Sequence, residues 1–272
     1  MNIAGIDTTK PRTQRYVDAF VTGTPGPHRI YDFKTMIQLP EEDLTMYGIL
    51  AGSGEVYKWC QREGRDFYYM DHGYFGNAHD APHWLRITKN GHTQTVLKDV
   101  PVDRYKKYFK REIKPWNKTG KDILFLPPTI AISNFFNATD WITNTLKTLS
   151  EVTDRYVDIR EKPYNPNITV DQYGATVKVD RPTEQKGPID WAQYHAVITF
   201  NSNTVVEALH HGVPVFCNSE ASAATPISEI DLTKIETPKY GDRMSLFASL
   251  AYSNFSLAEI ADGTAWKILN ES

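Results

Sequence analysis

AVITFNSNTVVEALHHGVPVFCN, residues 196–218, is the stretch from which the fold is read. Ala196 to Phe200 is a short apolar, β-branched run that predicts a buried strand. Asn201, Ser202, Asn203 and Thr204 form a polar cluster of the kind that caps a helix. Val205 to His211 carries apolar residues at helical spacing, Gly212 supplies a left-handed stop, and Val213 to Phe216 returns as a strand. Free amides at such a helix start, backed by the helix dipole, favour an anion such as a phosphate. The side chains of Asn201, Ser202, Asn203 and Thr204 add donors there, and Glu207, one turn on, is placed to accept hydrogen bonds from a ribose. An ordinary βαβ unit with a good N-cap has the same spacing, and spacing alone does not choose between them.

Working outward through the second half, Asp122 to Leu126 reads as a buried strand, stopped by Pro127 and Pro128. Thr129 and Ser133 follow in a strand–helix loop, where they either touch phosphate or sugar or pack the loop. Asp140 to Ser150 reads as a helix with Trp141, Leu146 and Leu149 on one face. Arg155 to Ile159 is a further strand, and Arg160 and Lys162 stand at its end, placed to meet a diphosphate. A surface ion pair with Glu161 is the alternative. Residues 164–188 read as irregular. Ala221 to Ser228 reads as a small-residue loop, and two amphipathic helices close the chain, Arg243–Tyr252 and Ser256–Leu269, the latter capped by Ser256.

In the first half, Asn2–Ile6, His28–Tyr31 and Tyr47–Ala51 are strand candidates, and Thr13–Val21 and Glu55–Arg62 are helices. Gly52-Ser53-Gly54 lacks the spacing of a P-loop or dinucleotide fingerprint, and a tight strand–helix turn accounts for it. Phe67 to Met70 is a compact apolar strand that delivers Asp71 and His72 to its carboxyl end, where open α/β sheets collect ligands. An Asp-His pair offers a general base directly, or a carboxylate that orients a basic imidazole. A structural Asp capping the next turn is the alternative. His72, His79, Asp80 and His83 also resemble a metal set, but Pro82 interrupts the helix that their spacing needs.

Trp84 to Lys89 alternates apolar and polar residues and predicts a strand. Beyond it, nine Lys/Arg against four Asp/Glu between Lys98 and Asp122 leave a local charge of +5 in a chain of −3. Tyr105, Tyr108, Phe109 and Trp116 interleave with these bases. Arg104, Lys106, Lys107, Lys110 and Arg111, with Tyr74 from the earlier stretch, are the residues expected to meet an acceptor of nucleic-acid type. A solvated amphipathic segment with inward-packed aromatics is an equal alternative, and an anionic membrane surface a third.

With 272 residues, 40% hydrophobic and 23% charged, the chain has the composition of an ordinary globular protein and the length for two domains. The net charge argues against a globally basic nucleic-acid binder without excluding a local patch. Two cysteines, Cys60 and Cys217, in apolar settings predict reduced thiols and a cytoplasmic protein. No apolar run has membrane-spanning length, so no stable membrane insertion is expected.

NSNTVVEALHHGVPVF resembles the nucleotide-sugar half of GT-B type glycosyltransferases. Further pieces are similar to bacteriophage glycosyltransferases that modify 5-hydroxymethylpyrimidines in DNA: YYMDHGYFG at 68–76, LRITKNGHTQ at 85–94, ILFLPPT at 123–129, TDRYVDIREKP at 153–163 and AEIADGTAW at 258–266. The resemblance implies an α/β fold of two Rossmann-like domains facing across a cleft. It divides the chain into an acceptor domain (1–120), a nucleotide-sugar domain (121–255) and a helix returning to the first (256–272), where Trp266 packs. It implies transfer from a nucleoside diphosphate sugar, a UDP-sugar by preference, to a hydroxyl, with 5-hydroxymethylpyrimidine in double-stranded DNA as acceptor. A surface-glycan transferase and a non-catalytic nucleotide-binding relative are the rival readings. Asp71 is then the base, with His72 as partner or alternate. Arg160, Lys162, Asn201, Ser202, Asn203, Thr204, Glu207 and Thr129 hold the donor. No metal and no cofactor beyond the sugar nucleotide are expected.

Overall fold

A computed structural model describes residues 2–50, 52–161, 187–217 and 219–271. The chain divides into two compact units. Unit 1 comprises Met1–Gln94, Lys98–Phe109 and Phe247–Ser272, and unit 2 comprises Thr95–Leu97 and Lys110–Leu246.

The chain opens in unit 1 with β1 (Ile3–Ile6), α1 (Pro11–Thr22), β2 (Arg29–Tyr31), β3 (Asp43–Tyr47), α2 (Ser53–Glu63), β4 (Phe67–His72), β5 (Trp84–Lys89) and α3 (Asp103–Tyr108). Pro11 starts α1 at a position whose amide has no helical partner, and Tyr16, Val17, Phe20 and Val21 form its buried face. The strand expected at Tyr47–Ala51 is corrected to Asp43–Tyr47, because the chain after Tyr47 leaves the sheet. Gly52 begins α2 at φ +87 with the Phe33 ring filling the place of a Cβ, and Ser53 is wholly buried. The Gly-Ser-Gly turn is therefore a packing device.

Unit 2 continues with β6 (Asp122–Leu126), α4 (Ile130–Phe135), α5 (Trp141–Val152), β7 (Val157–Ile159), β8 (Tyr194–Thr199), α6 (Thr204–His210) and β9 (Val215–Phe216). The helix α7 (Arg243–Ala251) leads back, and unit 1 is completed by β10 (Asn254–Ser256), α8 (Leu257–Ala261) and α9 (Thr264–Glu271). The single helix expected over Ser256–Leu269 is two helices, broken at Gly263, which stands at φ +86. Ser256 caps the first with a reciprocal bond to Glu259.

Unit 1 holds a six-stranded sheet in the order β10-β5-β4-β3-β1-β2. Strands β1 to β4 run parallel, β5 runs antiparallel to them, and β10, antiparallel to β5, runs in their direction again. Its core includes Tyr16, Phe20, Tyr68, Met70, Leu85, Phe255 and Ile260, with Trp266 and Leu269 packed against it. Unit 2 holds a fully parallel four-stranded sheet, β7-β6-β8-β9. Its core joins Ile123, Phe125, Ile198 and Phe216 to Leu146 and Leu149 of α5. In each unit the first strand lies inside the sheet and the chain winds to both of its sides. In open α/β sheets ligands collect at the carboxyl ends around such a switch of direction.

Candidate active site

In unit 1 the carboxyl ends of β1, β3 and β4 line a cavity of about 250 Å³. Thr8 and Lys10 follow β1, Tyr47, Gly48, Ile49 and Leu50 close β3, Asp71 and His72 end β4, and Thr13 comes from the first turn of α1. A larger hollow of about 800 Å³ lies beside the edge strand β2, lined by Arg29, Tyr31, Ile37 and Glu42 among others. It contains none of the expected site residues, and Arg29 there is spent on Glu42 at 2.8 Å. The smaller cavity is the one at the strand ends.

Asp71 and His72 are the last two residues of β4 itself, held by the antiparallel strand β5. Asp71 pairs directly across from Arg86, whose Nη2 donates to Asp71 Oδ2 at 3.0 Å. The Tyr69 hydroxyl donates to the same oxygen at 3.1 Å, and the His72 amide to Asp71 Oδ1 at 2.7 Å. Arg86 is locked in turn, donating to the carbonyls of His92 and His72, with its side chain 5% exposed against 25% for Asp71. Burial alone raises the Asp71 pKa, but Arg86, His92, His72 and the His72 amide outweigh it and bring the carboxyl down to about 2. Asp71 is an anion at any physiological pH. The neighbouring phenols of Tyr47 and Tyr69 are pushed up, first by burial and then by that anion. Arg86 is the site residue that sequence reading missed.

Tyr74, expected at the acceptor, is corrected to a buried residue of this network, 5% exposed. Its hydroxyl bonds Thr93 Oγ1 at 2.9 Å and accepts from the Gln94 amide at 2.7 Å, and Arg86 lies over its ring. His79 and His83 face the guanidinium groups of Arg12 and Arg15, a setting hostile to a cation. Among the described residues no three His, Cys, Asp or Glu side chains group as metal ligands.

In unit 2 the expected donor residues follow the carboxyl ends of three neighbouring strands. Thr129 comes after β6, Arg160 after β7, and Asn201 to Thr204 after β8. Thr129 caps α4, its hydroxyl accepting from the Ile132 amide at 3.3 Å. Arg160 Nη2 donates to the Gly187 carbonyl at 2.9 Å, and among the described residues no carboxylate pairs with it. The Ser202 amide donates to Thr199 Oγ1 at 3.1 Å and the Thr204 amide to Ser202 Oγ at 3.3 Å. Asn203 occupies the N-cap position of α6 without a capping side-chain bond. Glu207 is exposed on this seven-residue helix, and Gly212 stands at φ +79 as its stop. Lys162 lies outside the described residues.

The basic segment divides. Arg104 is corrected from surface base to interior anchor of unit 1, its side chain 9% exposed. It pairs with Glu259 through two bonds of 2.8 and 3.3 Å and donates to the carbonyls of Ala251 and Asn254. Lys106, Lys107, Lys110 and Arg111 are exposed. The aromatics pack: Tyr105 stacks on Phe247, Phe109 on Phe75, and Trp116 lies under Arg243 at 3.9 Å. Beside the solvated lysines, Tyr105 is buried, Phe109 and Trp116 are half-buried, and Tyr108 is exposed.

No family model matches the chain, and no curated protein matches it. Solved structures do. One chain of Thermosulfurimonas dismutans KpsC, a β Kdo 2,4 transferase, superposes with a TM-score of 0.54 at 14% identity, covering 94% of this chain and 92% of its own. A second, KpsC β Kdo 2,7 transferase of the same organism, gives 0.53 at 12% identity, covering 100% and 99%. The fold is that of these glycosyltransferase chains. The largely parallel sheet of unit 1 and the fully parallel sheet of unit 2 agree with a GT-B-like architecture. At this identity the likeness speaks for the fold.

Proposed function

We propose that the protein transfers a sugar from a nucleoside diphosphate sugar, a UDP-sugar by preference, to an acceptor hydroxyl. One observation carries the reading: both units gather their polar side chains at the carboxyl ends of parallel strands, in a fold shared along the whole chain with two sugar transferases. Unit 2 is assigned the donor and unit 1 the acceptor.

In the transfer, the bond between the anomeric carbon and the diphosphate breaks through an oxocarbenium-like state while the acceptor oxygen loses its proton. A carboxyl held near 2 is a weak base, so the proton is assigned to the His72 ring. Asp71, permanently charged, then stabilises the imidazolium and the developing positive charge on the sugar. The departing diphosphate is assigned to Arg160 and the Asn201–Thr204 turn, with Lys162, and the ribose to Glu207. Because α6 has seven residues, its dipole contributes less than the Arg160 guanidinium. A cation from the chain in that place makes transfer independent of a divalent metal.

For the acceptor, 5-hydroxymethylpyrimidine in DNA follows from the sequence resemblance, with exposed Lys106, Lys107, Lys110 and Arg111 as its contacts. A surface-glycan acceptor fits the likeness to two Kdo transferases equally well, and the withdrawal of Arg104 and Tyr74 into the core removes two of the contacts expected for DNA. The test is incubation with a panel of nucleoside diphosphate sugars and either hydroxymethylated duplex DNA or saccharide acceptors, in EDTA, followed by mass spectrometry. Glycosylated product is expected in one acceptor class. Absence of donor consumption across the panel, with metal restored, would overturn the reading.

A further inference from the structure

Beside the unit 1 cavity stands a patch of protonatable side chains with no acid among their partners. Arg12 and Arg15 lie one turn apart on α1. The Arg12 guanidinium touches the His79 ring, and Arg15 Nη2 is 3.4 Å from His83 Nδ1. That nitrogen lies 3.1 Å from the Ala78 carbonyl, to which it donates, so it cannot also accept from Arg15. The His79 ring meets the His72 ring edge-on at 4.9 Å, and His72 lines the cavity. Lys10, at the start of α1, lines it too, and Arg12 is close enough to Tyr47 to oppose the rise in its pKa.

A guanidinium fork ordinarily ends on a carboxylate, yet among the described residues neither Arg12 nor Arg15 has one within ion-pair distance. The nearby acids are engaged: Asp7 accepts from the Thr9 amide, Asp18 from Gln14 Nε2 and Asp80 from Asn77 Nδ2. Asp71 bonds Arg86, Tyr69 and the His72 amide, and none of Arg12, Arg15, His79 or His83. Two exposed guanidinium forks set against two imidazoles are an arrangement that an anion between them would complete.

We propose that Arg12 and Arg15, with His79 and His83, bind a carboxylate or phosphate group carried by a saccharide acceptor, next to the hydroxyl that receives the sugar. The acceptor role rests on the glycosyl-transfer reading above. The spacing favours a saccharide over a duplex. Residues three apart on a helix have Cβ atoms about 5–6 Å apart, close enough for both side chains to converge on one acidic group, whereas a duplex backbone needs charges strung along many phosphates.

The test is NMR of the histidine side chains at pH 7 in the full chain, titrated with methyl glucuronide, glucose 6-phosphate, methyl glucoside and a hydroxymethylated DNA duplex. The His79 and His83 resonances are expected to move saturably with the two acidic sugars and not with the neutral one. The Arg12→Gln/Arg15→Gln variant, both sites being exposed, is expected to keep its melting temperature and to bind the acidic sugars about tenfold or more weakly. Equal shifts with methyl glucoside, none with the acidic sugars, or undiminished binding by the variant would overturn the proposal. So would a duplex that displaces the acidic sugars from these histidines. Hydrolysis of UDP-sugars by the wild type, measured alongside, tests the transfer reading separately, since the histidine shifts require no turnover.

Discussion

The strand ends of the two units offer their polar groups in different currencies. In unit 1 the side chains at the strand ends are wired into one another: Asp71 accepts from Arg86, Tyr69 and the His72 amide, and Arg86 is anchored by two carbonyls. In unit 2 the polar groups sit on turns and helix starts, bonded within a few residues of themselves, as Ser202 and Thr204 are, or to one carbonyl, as Arg160 is. The first arrangement fixes a charge in one place. The second leaves amides and a cation to be completed by a ligand. A wired carboxylate suits the reacting centre, and adaptable turns suit recognition of a diphosphate.

The contrast can be broken most forcefully at Asp71. Asp71→Asn keeps the shape and removes the charge, and is expected to lower kcat by about a hundredfold or more while leaving donor affinity within about twofold. Single-turnover rates and calorimetric donor titration check both halves. Should donor affinity collapse as well, the division of labour between the units is wrong.

Next in size is a comparison inside the basic segment. Arg104→Met leaves Glu259 buried without its partner and is expected to cost about 3 kcal/mol in urea unfolding. Lys106→Gln with Lys107→Gln, both exposed, should change stability by less than about 0.5 kcal/mol. Equal effects would mean that the burial distinction between them does not hold.

A pH titration sharpens the same contrast. The Asp71 carboxyl is depressed in the folded chain, so its contribution is fully present above the unfolded value near 4 and is lost as pH falls towards about 2. The loss over that window is about 2 kcal/mol, which Asp71→Asn should remove from the acid limb of the stability profile. An unchanged acid limb would detach Asp71 from the Arg86 network. The smallest effect is expected in unit 2. Ser202→Ala with Thr204→Ala deletes side-chain donors but keeps the backbone amides, and should weaken UDP binding about tenfold or less.

Much of this was legible in the residues. Periodicity and punctuation placed β5 over Trp84–Lys89 and β6 over Asp122–Leu126 at their observed limits, and Ser256 as a cap. The shift of β3 to Asp43–Tyr47 arose because the apolar run at Tyr47–Leu50 lines a cavity after the strand has ended, with Leu50 exposed, and an apolar run reads alike whether or not it lies in a sheet. Arg86 was missed because its partnership depends on register. The connection from His72 to Trp84 has no tight-turn signal to set which residue of β5 faces Asp71. Arg104 was misplaced for a similar reason: its partner Glu259 is distant in sequence, and local charge density cannot show which base is neutralised from afar. Strand β10 carries three residues, too short for any periodic pattern.

The cross-strand match of Asp71 with Arg86 has a bearing on how this sheet assembles. If β5 slid along β4 by one position, Arg86 would turn to the opposite face and the carboxylate would be shut in without a counter-charge. Mispairing of the two strands is penalised at the spot to which the chemistry is proposed, so the pair that fixes this end of the sheet also proofreads its alignment.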